Sequence, residues 1–291
     1  GGLTLSAGTL SVGNAAALGT GTFTITGGTL DASAAALSVA NALALNGDYA
    51  FAGTNALTLS GAATLGANRT LTITAGILTL SGGVAGTGFD LTKAGTGDLK
   101  LAAANTYTGV TLISAGQVIV DNALALSSGN VTVATGGTLN LGGFADTIGA
   151  FILASGTISN GTLTASGYEV RAGTASAVLA GAGVALTKTT AGTVVLSGAN
   201  TYTGATTVNA GILQLGAADA IADALSRHWL WLAKYPTGER ANLASADLSH
   251  ASLAFAALAH ATLSGADLTH ADLRDADLRA RAESVIMALP E

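Results

Sequence analysis

Residues 91–116 read LTKAGTGDLKLAAANTYTGVTLISAG, and residues 186–211 read LTKTTAGTVVLSGANTYTGATTVNAG. Leu-Thr-Lys, Asn-Thr-Tyr-Thr-Gly and Ala-Gly keep the same spacing in both stretches, so the second repeats the first at an offset of 95 residues. A repeat of this kind indicates an architecture in which each unit packs mainly on its neighbours.

The rest of residues 1–217 consists of short strings in which apolar residues alternate with Thr or Ser, as at 3–5, 22–26, 71–74 and 131–133. This alternation predicts strands with one buried face, and the Gly and Asn residues between the strings predict turns. A four-residue Gly motif ending in Leu recurs at 7–10, 27–30, 75–78, 136–139, 160–163 and 210–213. Two of its offsets, 20 residues from 7 to 27 and 24 from 136 to 160, are each interpreted as one turn of a parallel β-helix. We therefore predict parallel β-structure with almost no helix over residues 1–217.

Composition narrows the class of protein. The 291 residues include 40 Gly and no Cys, 10% are charged, and the net charge is −6. The chain is too apolar for disorder, it has no thiolate metal site or disulfide, and its acidity argues against nucleic-acid binding. Gly, Thr and Ser interrupt the apolar stretches, so no membrane-spanning segment is predicted. Gly1-Gly2 is not a signal-peptide start, and we expect a piece of a longer exported chain.

The unit shared by residues 91–118 and 186–215 resembles the autotransporter-associated β-strand repeat of bacterial passenger proteins. The resemblance extends more loosely over about residues 1–221. It implies a right-handed parallel β-helix, a β-solenoid, that is exported and displayed at the bacterial cell surface.

The composition changes near residue 218. Residues 218–291 hold 16 of the 28 charged residues, both Trp and all four His. Ile221, Leu225, Trp229 and Leu232 form one apolar stripe and predict a short helix over 219–235, which ends before Pro236.

An unbroken five-residue period follows from Ala241 to Leu278, with Ala two positions before each of eight Leu residues. It resembles the pentapeptide-repeat family, which implies a four-sided right-handed β-helix of two coils with Leu in its core. His228 and Trp231 resemble the helical cap that precedes such arrays. The expected fold is therefore all-β, with segments 1–217 (β-helix), 218–238 (capping helix and linker), 239–282 (pentapeptide coil) and 283–291 (tail).

Tyr107 and Tyr202 occupy equivalent places in the Asn-Thr-Tyr-Thr-Gly segments and allow two interpretations. They could be aromatic platforms for a glycan. The interpretation that we favour is structural: Asn and Gly take positive φ in a turn, and the Tyr packs over a rung.

An enzymatic function requires its own residues. Glycoside hydrolysis needs two carboxylates about 5–10 Å apart. The β-helix region contains only seven carboxylates, scattered singly along the sequence: Asp31, Asp48, Asp90, Asp98, Asp121, Asp146 and Glu169. We therefore predict no catalytic residue, and polysaccharide processing is the least favoured function.

His250, His260 and His270 recur every ten residues, which is half a four-sided coil. His250 and His270 should stack about 4.8 Å apart, with Asp267 nearby, but a closed zinc site needs three or four ligands. They are interpreted as solvent-facing residues, so no metal or cofactor site is predicted. DNA mimicry by the acidic residues is also disfavoured, because four Arg lie among them; the acidic residues are Asp247, Asp267, Asp272, Asp275 and Asp277.

The sequence therefore predicts an exported structural or adhesive β-solenoid without catalysis, with a surface glycan or a protein as ligand. The alternative is a protein-binding module that acts through the pentapeptide coil. We also expect end-to-end self-association, because the edge of residues 1–5 is uncharged and alternates Leu with Thr.

Overall fold

The computed structural model describes residues 1–216 and residue 263. These residues contain 29 strands and no helix, which confirms the predicted β-structure as far as residue 216. The chain divides into two compact units, Gly1–Val195 with Asn200–Gln214 and Leu196–Ala199 with Leu215–Glu291. The predicted helix at 219–235, the pentapeptide coil and the tail lie outside the described residues.

The strands are short because a turn residue interrupts each alternating string after a few positions. The first fifteen are β1 (Leu3–Leu5), β2 (Thr9–Val12), β3 (Phe23–Ile25), β4 (Thr29–Ala32), β5 (Leu37–Val39), β6 (Leu43–Leu45), β7 (Tyr49–Phe51), β8 (Leu57–Leu59), β9 (Ala63–Leu65), β10 (Arg69–Ile73), β11 (Ile77–Leu80), β12 (Val84–Ala85), β13 (Leu91–Ala94), β14 (Asp98–Leu101) and β15 (Thr111–Ile113). The others are β16 (Gly116–Val120), β17 (Val131–Val133), β18 (Gly137–Asn140), β19 (Ala145–Thr147), β20 (Ala150–Leu153), β21 (Thr157–Ser159), β22 (Thr162–Thr164), β23 (Gly167–Val170), β24 (Gly173–Ala175), β25 (Val178–Ala180), β26 (Leu186–Lys188), β27 (Thr193–Leu196), β28 (Thr206–Val208) and β29 (Ile212–Leu215).

The strands form the sides of a parallel β-solenoid. An 11-stranded sheet, the long sheet, has the order β2-β4-β7-β10-β13-β15-β17-β20-β23-β26-β28. A 10-stranded sheet, the second sheet, has the order β29-β27-β24-β21-β18-β16-β14-β11-β8-β5. The third side carries two separate sheets, β1-β3-β6-β9-β12 and β19-β22-β25. With one strand of the long sheet per turn, residues 1–216 make about 11 turns.

The register of neighbouring strands gives the number of residues in each turn. Leu91 pairs with Thr111 at an offset of 20 residues, and Phe151 pairs with Tyr168 at an offset of 17. Five successive register steps lead from Leu91 to Leu186. The 95-residue repeat of the sequence therefore corresponds to five complete turns.

The interior is filled by the apolar residues of the alternating strings. In the long sheet Leu30, Phe51 and Ile73 are completely buried, whereas the residues between the inward positions are half-buried or exposed. The hydrophobic effect thus selects the inward face, and the period of two along each strand decides which residues reach it.

One of the two offsets predicted to equal a full turn of the solenoid was wrong. The motif at 7–10 does align with the one at 27–30, because Thr9 pairs with Thr29. The motif at 136–139 does not align with the one at 160–163, since Thr138 pairs with Thr157 in the second sheet while Thr162 lies on the third side. The Gly motif therefore marks a corner of the solenoid without specifying which corner.

Candidate functional site

The two Asn-Thr-Tyr-Thr-Gly segments, residues 105–109 and 200–204, lie on the third side where a strand would otherwise stand. The Thr106 amide donates to the Val84 carbonyl (2.8 Å), and the Val84 amide donates to Asn105 Oδ1 (2.7 Å). The second segment repeats these bonds at Leu179, with distances of 2.9 and 2.9 Å. An Asn side chain thus replaces a strand carbonyl in both places. The first segment follows the last strand of the five-stranded sheet, and the second follows the last strand of the three-stranded sheet.

Asn105 joins three turns. Its side-chain Oδ1 accepts from the Val84 backbone amide on the preceding turn. Toward the following turn, its backbone amide donates to the Leu124 carbonyl (3.0 Å) and its side-chain Nδ2 donates to the Ala125 carbonyl. Its φ is not positive, and neither is that of Gly109, so the predicted positive-φ turn was wrong. Gly109 is instead required by close approach, because a Cβ there would overlap the Phe89 carbonyl.

Tyr107 is a core residue with no exposed surface. Its hydroxyl lies 2.5 Å from Thr111 Oγ1, and Thr111 is itself buried. Burial raises the pKa of Tyr107 to about 12, so the phenol stays neutral. The glycan-platform interpretation of Tyr107 was therefore wrong. Of the structural interpretation, the packing of Tyr107 in the interior is confirmed and the positive-φ turn is not. Tyr202 is half-buried and makes the equivalent bond to Thr206 at 2.8 Å.

Comparison with known families agrees with this geometry. The Passenger-associated-transport-repeat family matches residues 91–120 and 186–215. The chain carries passenger-associated-transport repeats. Each passenger repeat begins with a strand of the long sheet, β13 or β26, and ends with a strand of the second sheet, β16 or β29. Each repeat thus spans about one and a half turns and carries its Asn-Thr-Tyr-Thr-Gly segment in the middle.

The Pentapeptide repeats family matches residues 241–279 with eight copies, as the five-residue period predicted. No curated protein and no solved structure matches the chain.

The carboxylates of residues 1–216 connect neighbouring turns. Six of the seven reach a partner 20–23 positions away, which is about one turn; the pairs are Asp31–Thr54, Asp48–Thr70, Asp90–Val110, Asp121–Lys100, Asp146–Leu126 and Glu169–Thr189. Arg171 also pairs with Glu169 at 2.7 Å and lowers its pKa. These acids therefore act as cross-links between turns. Asp98, the first residue of β14, interacts electrostatically with Lys93.

Asp146 is the buried member of this set, with 2% of its surface exposed. Burial raises the pKa of Asp146. The backbone amides of Leu126 (3.0 Å) and Thr147 (2.8 Å) donate to the carboxyl group and partly offset this increase. Within residues 1–216 no group of three or more His, Cys, Asp or Glu side chains could hold a metal ion. No helix of this part is long and apolar enough to cross a membrane.

Sequence reasoning did not single out Lys93 and Lys188, which are completely buried. The signal was present, because the alternation in Leu91-Thr92-Lys93 and Leu186-Thr187-Lys188 places each Lys on the same face as the buried Leu. It also did not mark Tyr49, whose buried hydroxyl has no hydrogen-bond partner among the described residues.

The remaining candidates lie outside the described residues. They are His228, Trp231, His250, His260, His270, Asp247, Asp267, Asp272, Asp275 and Asp277. Their predicted positions, facing solvent or packed in the cap, stay predictions.

Proposed function

We propose that the chain is part of an exported autotransporter passenger and serves as a non-catalytic structural and adhesive scaffold at the bacterial cell surface. The observation that carries this proposal is the presence of two passenger repeats, separated by five complete turns, within one continuous solenoid. At about 4.8 Å per turn, the eleven strands of the long sheet extend over about 50 Å. A solenoid of this length suits a stalk that holds ligands away from a membrane.

The use of the polar groups supports a scaffold over an enzyme. Hydrolysis of a glycoside requires one carboxyl group to give up a proton and a second to assist at the same bond. In residues 1–216 six of the seven carboxylates instead bond to a neighbouring turn, and Asp146 is buried with its oxygens occupied by amides. These groups stabilise stacking of the turns.

The location can be tested on intact cells of the source bacterium. An antibody against the chain should detect it on whole cells, and external protease should remove the signal while a cytoplasmic marker survives. Detection of the chain only after lysis, with full protease resistance in intact cells, would refute the exported location.

Adhesion requires exposed groups that the fold itself does not need. Thr106 and Thr201 are exposed at equivalent places, whereas Thr108 and Thr203 accept bonds from the amides of Gly88 and Gly183. Beads coated with the full chain should bind host cells or glycan arrays less well after Thr106→Ala with Thr201→Ala, at unchanged thermal stability. Thr108→Ala with Thr203→Ala serves as the control that lowers stability. Binding that none of these variants alters would argue against an adhesive third side.

The eight pentapeptide copies favour a second candidate, recognition of a protein partner through residues 241–279. Cross-linking mass spectrometry on cells should then place the links to one partner inside this range. Links to that partner confined to residues 1–216 would exclude this candidate. End-to-end self-association remains a prediction, and light scattering across concentration tests it.

A further inference from the structure

Each passenger repeat places a lysine in an apolar column of the long sheet. The register aligns Lys93 and Lys188 with Leu71, Ile113, Val133, Leu153, Val170 and Val208. Both lysines are completely buried. Burying an ammonium group costs free energy unless every proton finds a partner, so these two positions need a specific explanation.

Backbone carbonyls surround each ammonium group. Lys93 Nζ donates to the carbonyls of Ala94 (3.0 Å), Gly95 (2.8 Å) and Ala115 (3.1 Å). Ala115 belongs to the following turn, so one of the three bonds connects two turns. Gly116 leaves the necessary space, because a Cβ there would lie 2.8 Å from Nζ.

Lys188 repeats two of these three bonds in the second passenger repeat. Its Nζ donates to the Thr190 carbonyl and, on the following turn, to the Ala210 carbonyl (3.2 Å). Gly211 has φ +71°, as Gly116 has φ +65°. None of the three ion pairs within residues 1–216 involves either lysine.

The apolar residues around the lysines do not determine the alignment of the turns. Sliding one strand by two residues past its neighbour keeps every inward side chain inward, because the side-chain period is two. Leu, Ile and Val replace one another along the column with little change in chemistry. The slide would move β15 by about 6.7 Å along β13 and would separate the Ala115 carbonyl from Lys93 Nζ.

We propose that Lys93 and Lys188 set the register of the solenoid. Each buried ammonium group donates to a carbonyl of the following turn only when the strand that carries it, β13 or β26, aligns correctly with the next strand, β15 or β28. Apolar burial drives the turns together, and the lysines select one alignment among those that burial accepts.

The test uses the full chain, which contains no Cys, so that an introduced pair gives one unambiguous disulfide. Thr92 and Leu112 are register neighbours, and Thr92→Cys with Leu112→Cys reports the native alignment. Thr92→Cys with Ser114→Cys reports a two-residue slide, since in the native alignment these Cα atoms are about 8 Å apart and too far for a disulfide. Mild oxidation followed by mass spectrometry gives the ratio of slid to native disulfide.

Lys93→Met should raise this ratio by about 10- to 100-fold, because the native alignment then loses the free energy of one hydrogen bond to a charged group. Leu71→Met, in the same column, is the matched control and should leave the ratio unchanged. An unchanged ratio in Lys93→Met, or an equal rise in the control, would overturn the proposal. So would loss of the β-signal in circular dichroism, because the lysine would then be required for stability rather than for alignment.

The second repeat provides an independent test. Lys188→Met should raise the disulfide of Thr187→Cys with Asn209→Cys relative to that of the register pair, Thr187→Cys with Thr207→Cys. A response at one lysine and none at the other would contradict a shared role.

Discussion

Replacing Tyr107 by Phe removes one oxygen from the core and leaves the ring in place. The lost hydroxyl lies 2.5 Å from Thr111 Oγ1, and Thr111 is 1% exposed, so water cannot replace the missing partner. Leaving a buried hydroxyl without that bond costs about 1–3 kcal/mol. We expect Tyr107→Phe to lower the free energy of unfolding by this amount.

Tyr49→Phe is the matched control, because the Tyr49 hydroxyl is equally buried but has no partner among the described residues. Its removal relieves a desolvation cost, so this variant should be neutral or more stable by about 1 kcal/mol. Urea unfolding of the full chain, followed by far-ultraviolet circular dichroism, gives both values from the shift in midpoint at constant slope. Equal destabilisation by the two substitutions would refute the hydrogen-bond argument for Tyr107.

Three further predictions concern other parts of the chain. Burial lowers the pKa of Lys93 to about 8 from 10.5, so between these pH values the folded state binds fewer protons than the unfolded state. The thermal stability of the unmodified chain should therefore rise from about pH 8 to 10 relative to that of Lys93→Met. A fall in this stability difference over the same pH range would contradict the prediction. Gly109→Ala should cost about 1–3 kcal/mol by overpacking, whereas Gly167→Ala, which has open space around its Cα, should change stability by less than about 0.5 kcal/mol; equal thermal shifts would argue against the close approach. Leu258→Ala should cost about 2–5 kcal/mol and Asp267→Ala less than about 0.5 kcal/mol; similar urea midpoints would show that the five-residue register is wrong.

Local alternation was sufficient to predict individual strands. The strings at 3–5 and 131–133 coincide with β1 and β17, because a period of two decides which face is buried without reference to the rest of the chain. The 95-residue repeat likewise led to the passenger repeats, whose strands and third-side segments occupy equivalent places.

Contacts between turns could not be predicted in this way. Turn length varies, with register offsets of 17 residues at Phe151 and 22 at Arg69, so a fixed period misplaced the motif at 160–163. The role of Asn105 was missed for a related reason. Turn propensities describe hydrogen bonds within a few residues, whereas its side chain bonds to groups 20 and 21 residues away.

The whole-turn spacing of the two passenger repeats has a consequence for how such a chain can change in length. A duplication or deletion that contains complete turns returns every side chain to its former side and restores the cross-links to both neighbours. An insertion of half a turn would rotate all later residues onto the wrong side and bury their polar groups. Related chains should therefore differ in length by multiples of about 20 residues in this part, with intermediate lengths confined to loops at the corners.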